Sequence, residues 1–207
     1  MRIFEKVLFG IILGAIAPIL GFLAGWWGAL AFMPERLIFF GAIVGLLIGI
    51  LVDIVCLGRW IRNAYLIHLK IWMAVYLFYS IGMFGFFMGV PIFNVLLGIS
   101  AGMFVGSKLA RQAADREDVK RMNRNTCIFT TGILAIVCVL SAVVALVDPY
   151  TSSNIQGMLG LPFVVTREML VAIIAIGGIA LLLLQWGITG TTITLTYTYQ
   201  TNSNAMR

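Results

Sequence analysis

The stretch from Gly89 to Asn125 reads GVPIFNVLLGISAGMFVGSKLARQAADREDVKRMNRN. Its first half is apolar and carries a ladder of four-residue steps: Asn94, Gly98, Gly102, Gly106. Its second half holds Lys108, Arg111, Arg116, Lys120, Arg121 and Arg124, six of the fourteen Lys and Arg residues in the chain. An apolar helix that leaves a proline-marked turn and ends in a basic loop sets one side of a membrane apart from the other, because cytoplasmic loops collect Lys and Arg.

Composition agrees. The 207 residues are 61% hydrophobic and 11% charged, with a mean hydropathy of +1.05. A soluble domain carries about 25% charged residues. The net charge of +6 does not indicate nucleic acid, because the basic residues cluster between apolar runs. Cys56, Cys127 and Cys138 have neither metal-site nor redox spacing. They read as small apolar residues within spans.

Upstream, Arg2 and Lys6 precede 27 uncharged residues, Val7 to Met33. Signal-peptide cores run to about 7–15 residues, so this run is expected to stay as a first span although Ala29-Leu30-Ala31 imitates a cleavage site. Pro18 should kink it, and Trp26 and Trp27 suit the far interface. After the turn Pro34-Glu35-Arg36, a second apolar run carries Gly41, Gly45, Gly49 and Asp53 at four-residue steps. A basic loop with Arg59, Arg62, His68 and Lys70 follows. The next 37 uncharged residues, Ile71 to Ser107, are too many for one crossing, and Gly89 and Pro91 divide them into a hairpin.

Downstream, Lys108 to Asn125 is expected to begin as a soluble extension of the fourth span. Two more apolar runs enclose a loop from Asp148 to Glu168. The expected fold is therefore all-α: a polytopic integral membrane protein, a bundle of six transmembrane helices with both termini inside. Residues 1–188 form the membrane domain, with spans near 7–30, 37–57, 71–88, 92–107, 126–147 and 169–188. Residues 189–207 form a Thr-rich tail whose alternation of threonine with Ile193, Leu195, Tyr197 and Tyr199 has the period of a strand. A lone strand is unstable, so the tail either pairs with something or is disordered, and it is expected to be dispensable for insertion. In this topology Arg2, Lys6, Arg59, Arg62, Lys70, the six basic residues of the long loop and Arg207 share one side, and only Arg36 and Arg167 lie opposite.

The glycine ladders let helix backbones approach closely in lipid. Positions 41, 45, 49, 53 and 94, 98, 102, 106 repeat at an offset of 53. That offset hints at two related hairpins and suggests that the ladders face each other, Gly45 against Gly98 or Gly102. Asp53 would then pair with Lys108 at the inner interface. Asp53, Asn94 and Lys108 are accordingly the candidate binding residues. Asn94 is read first as a cap for the fourth span and second as a polar group facing a solute. His68 reads as a snorkelling interfacial side chain.

No His-Glu-x-x-His pattern, nucleophile elbow, intramembrane acid pair or phosphate loop occurs. No enzyme, metal site or cofactor is expected. The partners expected are the lipid bilayer and a second copy or a partner membrane subunit. Six spans in about 200 residues are similar in outline to the substrate-capture subunits of vitamin importers, without a shared motif. The functional expectation is a small solute or ion transport component of the plasma membrane, and the alternative is a non-transporting assembly or scaffold protein.

Overall fold

The computed structural model describes residues 3–87, 89–160 and 162–205. The expectations that rest on Arg2, Met88, Leu161 and Arg207 lie outside the described residues. Within them the chain is helical throughout, with no strand. Six helical stretches are long and apolar enough to cross a membrane: Glu5–Phe32, Glu35–Asn63, Leu69–Phe86, Pro91–Arg111, Arg116–Val147 and Arg167–Ser203. They contain five of the six expected runs and extend most of them, because the helices carry on past the apolar core into the charged flanks; the third ends at Phe86, short of the expected 88.

The chain forms two compact units, Met1–His68 and Leu69–Arg207. The break falls in the basic loop after the second span.

The first unit holds α1 (Ile3–Gly14), α2 (Ile16–Phe32) and α3 (Glu35–Asn63). The first span is interrupted at Ala15, as Pro18 requires. Proline has no N–H to give the carbonyl of Gly14, and its ring crowds that carbonyl. Around the gap the ladder resumes, Ala15 N donating to Ile11 O at 3.2 Å and Ile19 N to Ala15 O at 3.1 Å. Beyond it α2 and α3 run antiparallel with their backbones in contact. A Cβ on Gly21 or Gly25 would fall on the carbonyl of Gly45 or Gly41, and one on Gly49 would fall on that of Ala17. At the other end Tyr65 OH donates to Glu5 Oε1 at 3.0 Å, and its ring meets Phe9 edge-on at 5.2 Å.

The second unit holds α4 (Leu69–Phe86), a 3-10 turn (Pro91–Asn94), α5 (Val95–Arg111), α6 (Arg116–Val147), α7 (Thr151–Leu159) and α8 (Arg167–Ala205). The fourth span is the most enclosed: 50% of its apolar window is buried, against 11% for the first, second and sixth. Its glycines meet α8. A Cβ on Gly98 would lie 2.5 Å from Gln185 Nε2, one on Gly102 2.8 Å from Thr192 Cβ, and one on Gly106 2.7 Å from Ile193 O. Both series of numbers rise together, so α5 and α8 are parallel.

Four expectations change here. The ladders do not face each other, because Gly45 lies against α2 while Gly98 and Gly102 lie against α8. The hint of related hairpins goes with it: α2 and α3 are in close contact along their length, whereas α4 and α5 touch sparsely. The polar segment extends the fourth span by one turn only, to Arg111. The chain turns at Ala113, with φ 48°, and Asp115 caps a new helix by accepting from Asp118 N at 2.7 Å.

The fourth change is the Thr-rich tail, which is the end of α8 and is helical to Ala205. Read at helical spacing, Thr189, Thr192, Ile193, Thr196 and Gln200 form one face, and that face fills the groove left by the α5 glycines. Thr189 and Ile193 are fully buried. Gln200 Nε2 donates to Ser107 Oγ at 2.7 Å and Tyr197 OH to Ala114 O at 2.9 Å. Off this face, Thr191, Thr194 and Thr201 return their hydroxyls to carbonyls one turn back. This local bonding lets threonine serve in a membrane helix.

Candidate functional site

The enclosed position of α5 gathers a group of polar side chains where the surroundings are apolar. Ser80 and Asn94 are each 1% exposed, and Thr130, Gln185 and Thr189 are 0% exposed. Tyr76, on α4, is buried with them. Tyr76 and Ser80 are one helical turn apart on α4, as are Gln185 and Thr189 on α8. Asn94 ends the 3-10 turn, one turn before Gly98.

Their contacts close into a ring. Asn94 Nδ2 donates to Ser80 O at 3.2 Å. Ser80 shares a face with Tyr76, whose hydroxyl accepts from Gln185 Nε2 at 3.3 Å. Gln185 lies against the bare Cα of Gly98, which leads back to Asn94. Thr130 joins from α6, its Oγ1 3.4 Å from Thr189 Oγ1, and Phe129 packs against the Tyr76 ring at 5.5 Å. Thr130 stands near the middle of α6. Above it, Ser141 donates its hydroxyl to Gly89 O. The tip of the α4–α5 hairpin is therefore level with Ser141 and stops short of the end of α6 at Val147.

The direction of each hydrogen bond follows from simple counting, because a hydroxyl has one hydrogen and a carbonyl none. Thr130 spends its hydrogen on Cys127 O at 3.3 Å. Thr189 must therefore donate to Thr130. With that hydrogen committed, Thr189 can only accept from Gln185, at 3.4 Å. The amide nitrogen of Gln185 thus faces Thr189 and Tyr76, and its oxygen points elsewhere. Asn94 is fixed the same way, since the carbonyl of Ser80 can only accept. What remains is Asn94 Oδ1, Gln185 Oε1 and Ser80 Oγ, all buried and all without a hydrogen-bond partner.

Of the expected binding residues, Asn94 belongs to this site. It does not cap α5, since its side chain makes no cap hydrogen bond and reaches across to α4. Lys108 ends the same helix about 21 Å further along, with Nζ 6.0 Å from the centre of the Phe104 ring. Asp53 belongs to the first unit, where its Oδ2 lies 3.8 Å from where a Cβ on Gly14 would sit. Its Oδ1 is buried and unpartnered. Asp53 and Lys108 thus belong to different units.

The sequence reading passed over Tyr76, Ser80, Thr130, Gln185 and Thr189. The signal for Gln185 was present: it is the sole amide side chain in the run from Met169 to Ile188. The others resemble ordinary span residues until tertiary structure brings them together. Groups of three or more His, Cys, Asp or Glu side chains able to hold a metal are absent among the described residues. Compared with protein-family models, with curated proteins and with solved structures, the chain matches none.

Proposed function

We propose that this chain is a small transport component of the plasma membrane that passes a solute or ion through the second unit. The reading is supported by one observation: three buried oxygens without partners, on three elements, within helical stretches long and apolar enough to cross a membrane. An unsatisfied buried polar group costs about 1–3 kcal/mol. Three together cost roughly 3–9 kcal/mol, which is comparable with the whole stability of a typical domain, about 5–15 kcal/mol. A purely structural core would replace these side chains with apolar ones of similar size. Polar side chains kept inside a membrane mark solute and ion paths.

Orientation belongs to the same reading. Twelve of the fourteen Lys and Arg residues on one side support six crossings with both termini cytoplasmic. The glycine ladders are the devices that hold the spans together in lipid, where small residues allow close van der Waals packing and apolar burial offers no gain.

The experiment is a thermal-shift screen of the purified full chain in detergent against small ions, amines, amides and polyols. A transport component is stabilised by at least one class, in proportion to ligand concentration, and Asn94→Leu removes the effect. No stabilisation by any class, together with a membrane subunit that co-purifies in fixed ratio, would establish the scaffold reading instead.

A further inference from the structure

We infer that the first turns of α6 are a docking face for anionic phospholipid headgroups, with Arg116, Lys120 and Arg124 as the contacting cations. The inference goes beyond the transport reading and needs from it only that α6 crosses the membrane. The three residues stand at four-residue steps, so they share one face of the helix. All three are exposed. Of the acids in α6 and its cap, Asp115 accepts from Asp118 N at 2.7 Å, and Asp118 pairs with Arg121 at 2.5 Å. That leaves Glu117 against three cations. The neighbouring helix adds no counter-charge. Asn123 Nδ2 lies 3.5 Å from Gly190 O and from Thr194 Oγ1, so the late part of α8 runs alongside, and from Thr189 to Ala205 it carries hydroxyls and amides but no charged side chain.

Depth selects a lipid as the occupant. From Thr126 to Val147 α6 is uncharged over 22 residues, about 33 Å of helix, which fits a hydrocarbon core about 30 Å thick. Arg124, Lys120 and Arg116 precede Thr126 by two, six and ten residues, or about 3, 9 and 15 Å along the axis. The headgroup layer is about 5–8 Å deep on each side. Arg124 therefore stands within it, and Lys120 stands at its outer edge with a stem long enough to reach in. Between Val119 and Asn125 every charged residue is positive, and the acids come earlier in the helix. A zwitterionic headgroup would bring a second cation to this face, whereas an anionic one brings phosphate charge alone. The guanidinium fork matches phosphate oxygens, and basic residues just outside a span attract anionic lipid.

The test is melting of the full chain in mixed micelles of fixed total lipid, with phosphatidylglycerol replacing phosphatidylcholine stepwise. We expect a saturable rise in melting temperature with phosphatidylglycerol. The rise should vanish when salt goes from about 0.1 M to about 1 M, because the Debye length falls from about 10 Å to about 3 Å. Lys120→Gln with Arg124→Gln changes two exposed side chains and should melt as wild type in lipid-free detergent. It should need at least about tenfold more phosphatidylglycerol for the same rise. Arg59→Gln with Arg62→Gln removes the same charge from α3, in the first unit, and should leave the response unchanged. Equal loss with the two pairs would reduce the effect to net charge and overturn the inference. So would equal melting in the two lipids, an unchanged response in the α6 pair, or a rise that persists in high salt. If glycerol phosphate without lipid gives the same rise, the occupant is a soluble phosphate and the lipid assignment is wrong. The transport reading is tested separately, because its screen is run on the same chain without lipid.

Discussion

At Asn94 two demands compete. The start of α5 has N–H groups that an asparagine is suited to cap, and α4 presents the carbonyl of Ser80 across the hairpin. The side chain serves α4, at 3.2 Å, because the 3-10 turn already feeds α5: Val95 N donates to Ile92 O and Phe93 O. Freed from capping, Asn94 is available to the ring. Gln185 and Thr189 act as one unit within it. A double-mutant cycle of Gln185→Leu and Thr189→Val should show coupling of about 0.5–2 kcal/mol in thermal stability, and additive effects would contradict the hydrogen-bond order. The glycines act by omission. Gly102→Leu must displace Thr192 Cβ, 2.8 Å from the new Cβ, and the backbone carbonyl of Thr189 at 3.0 Å. It should destabilise by about 1–3 kcal/mol or more. Gly132→Leu, with nothing within 4 Å of its new Cβ, should melt within about 0.5 kcal/mol of wild type. Equal losses at both positions would mean that the α5–α8 contact is not what the glycines protect.

Among the elements, α8 departs most from its appearance in sequence. Thr and apolar residues alternate over its last third, and alternation has the period of a strand. A stripe at 189, 193, 196 and 200 is present in the same letters, and α5 supplies the glycine groove that selects it. Removing the chain from Thr191 onward uncovers Gly102, Gly106 and Ser107. Loss of folded protein, read as aggregation on size exclusion, is the expected outcome. A truncated chain that stays monodisperse would show that α5 is held by α6 and α4 alone. Tyr197→Phe is a milder probe. It removes one hydrogen bond, to Ala114 O, and should cost about 0.5–1.5 kcal/mol.

For the molecule as a whole, the parallel contact of α5 and α8 agrees with a count that sends the fourth and sixth spans in the same direction. Membrane sidedness rests on charge and is tested by labelling. Single cysteines placed at Ser152 and Asn202, in a chain whose three native cysteines are replaced by serine or alanine, should react with a membrane-impermeant reagent from opposite sides. The label at Asn202 should be reached only from the cytoplasm, and accessibility of both from one side would remove the six-span topology.

The sequence by itself determined the six helices long and apolar enough to cross a membrane, the hairpin at Pro91 and the break near Pro18. Each rests on a local quantity: the length of an uncharged run, a missing N–H, a ring that excludes helical geometry before it. It also marked the glycine faces as contact surfaces. Tertiary structure alone decided which surfaces meet. A glycine face accepts any neighbour that fits, so Gly45 and Gly102 carried no sign that one would take α2 and the other a threonine face. The same holds for the polar ring. Tyr76, Ser80, Asn94, Thr130, Gln185 and Thr189 are spread over more than a hundred residues, and a hydroxyl or amide in a span is unremarkable while its partners are unknown. The unpartnered oxygens of Ser80, Asn94 and Gln185 become buried together only once the helices have packed.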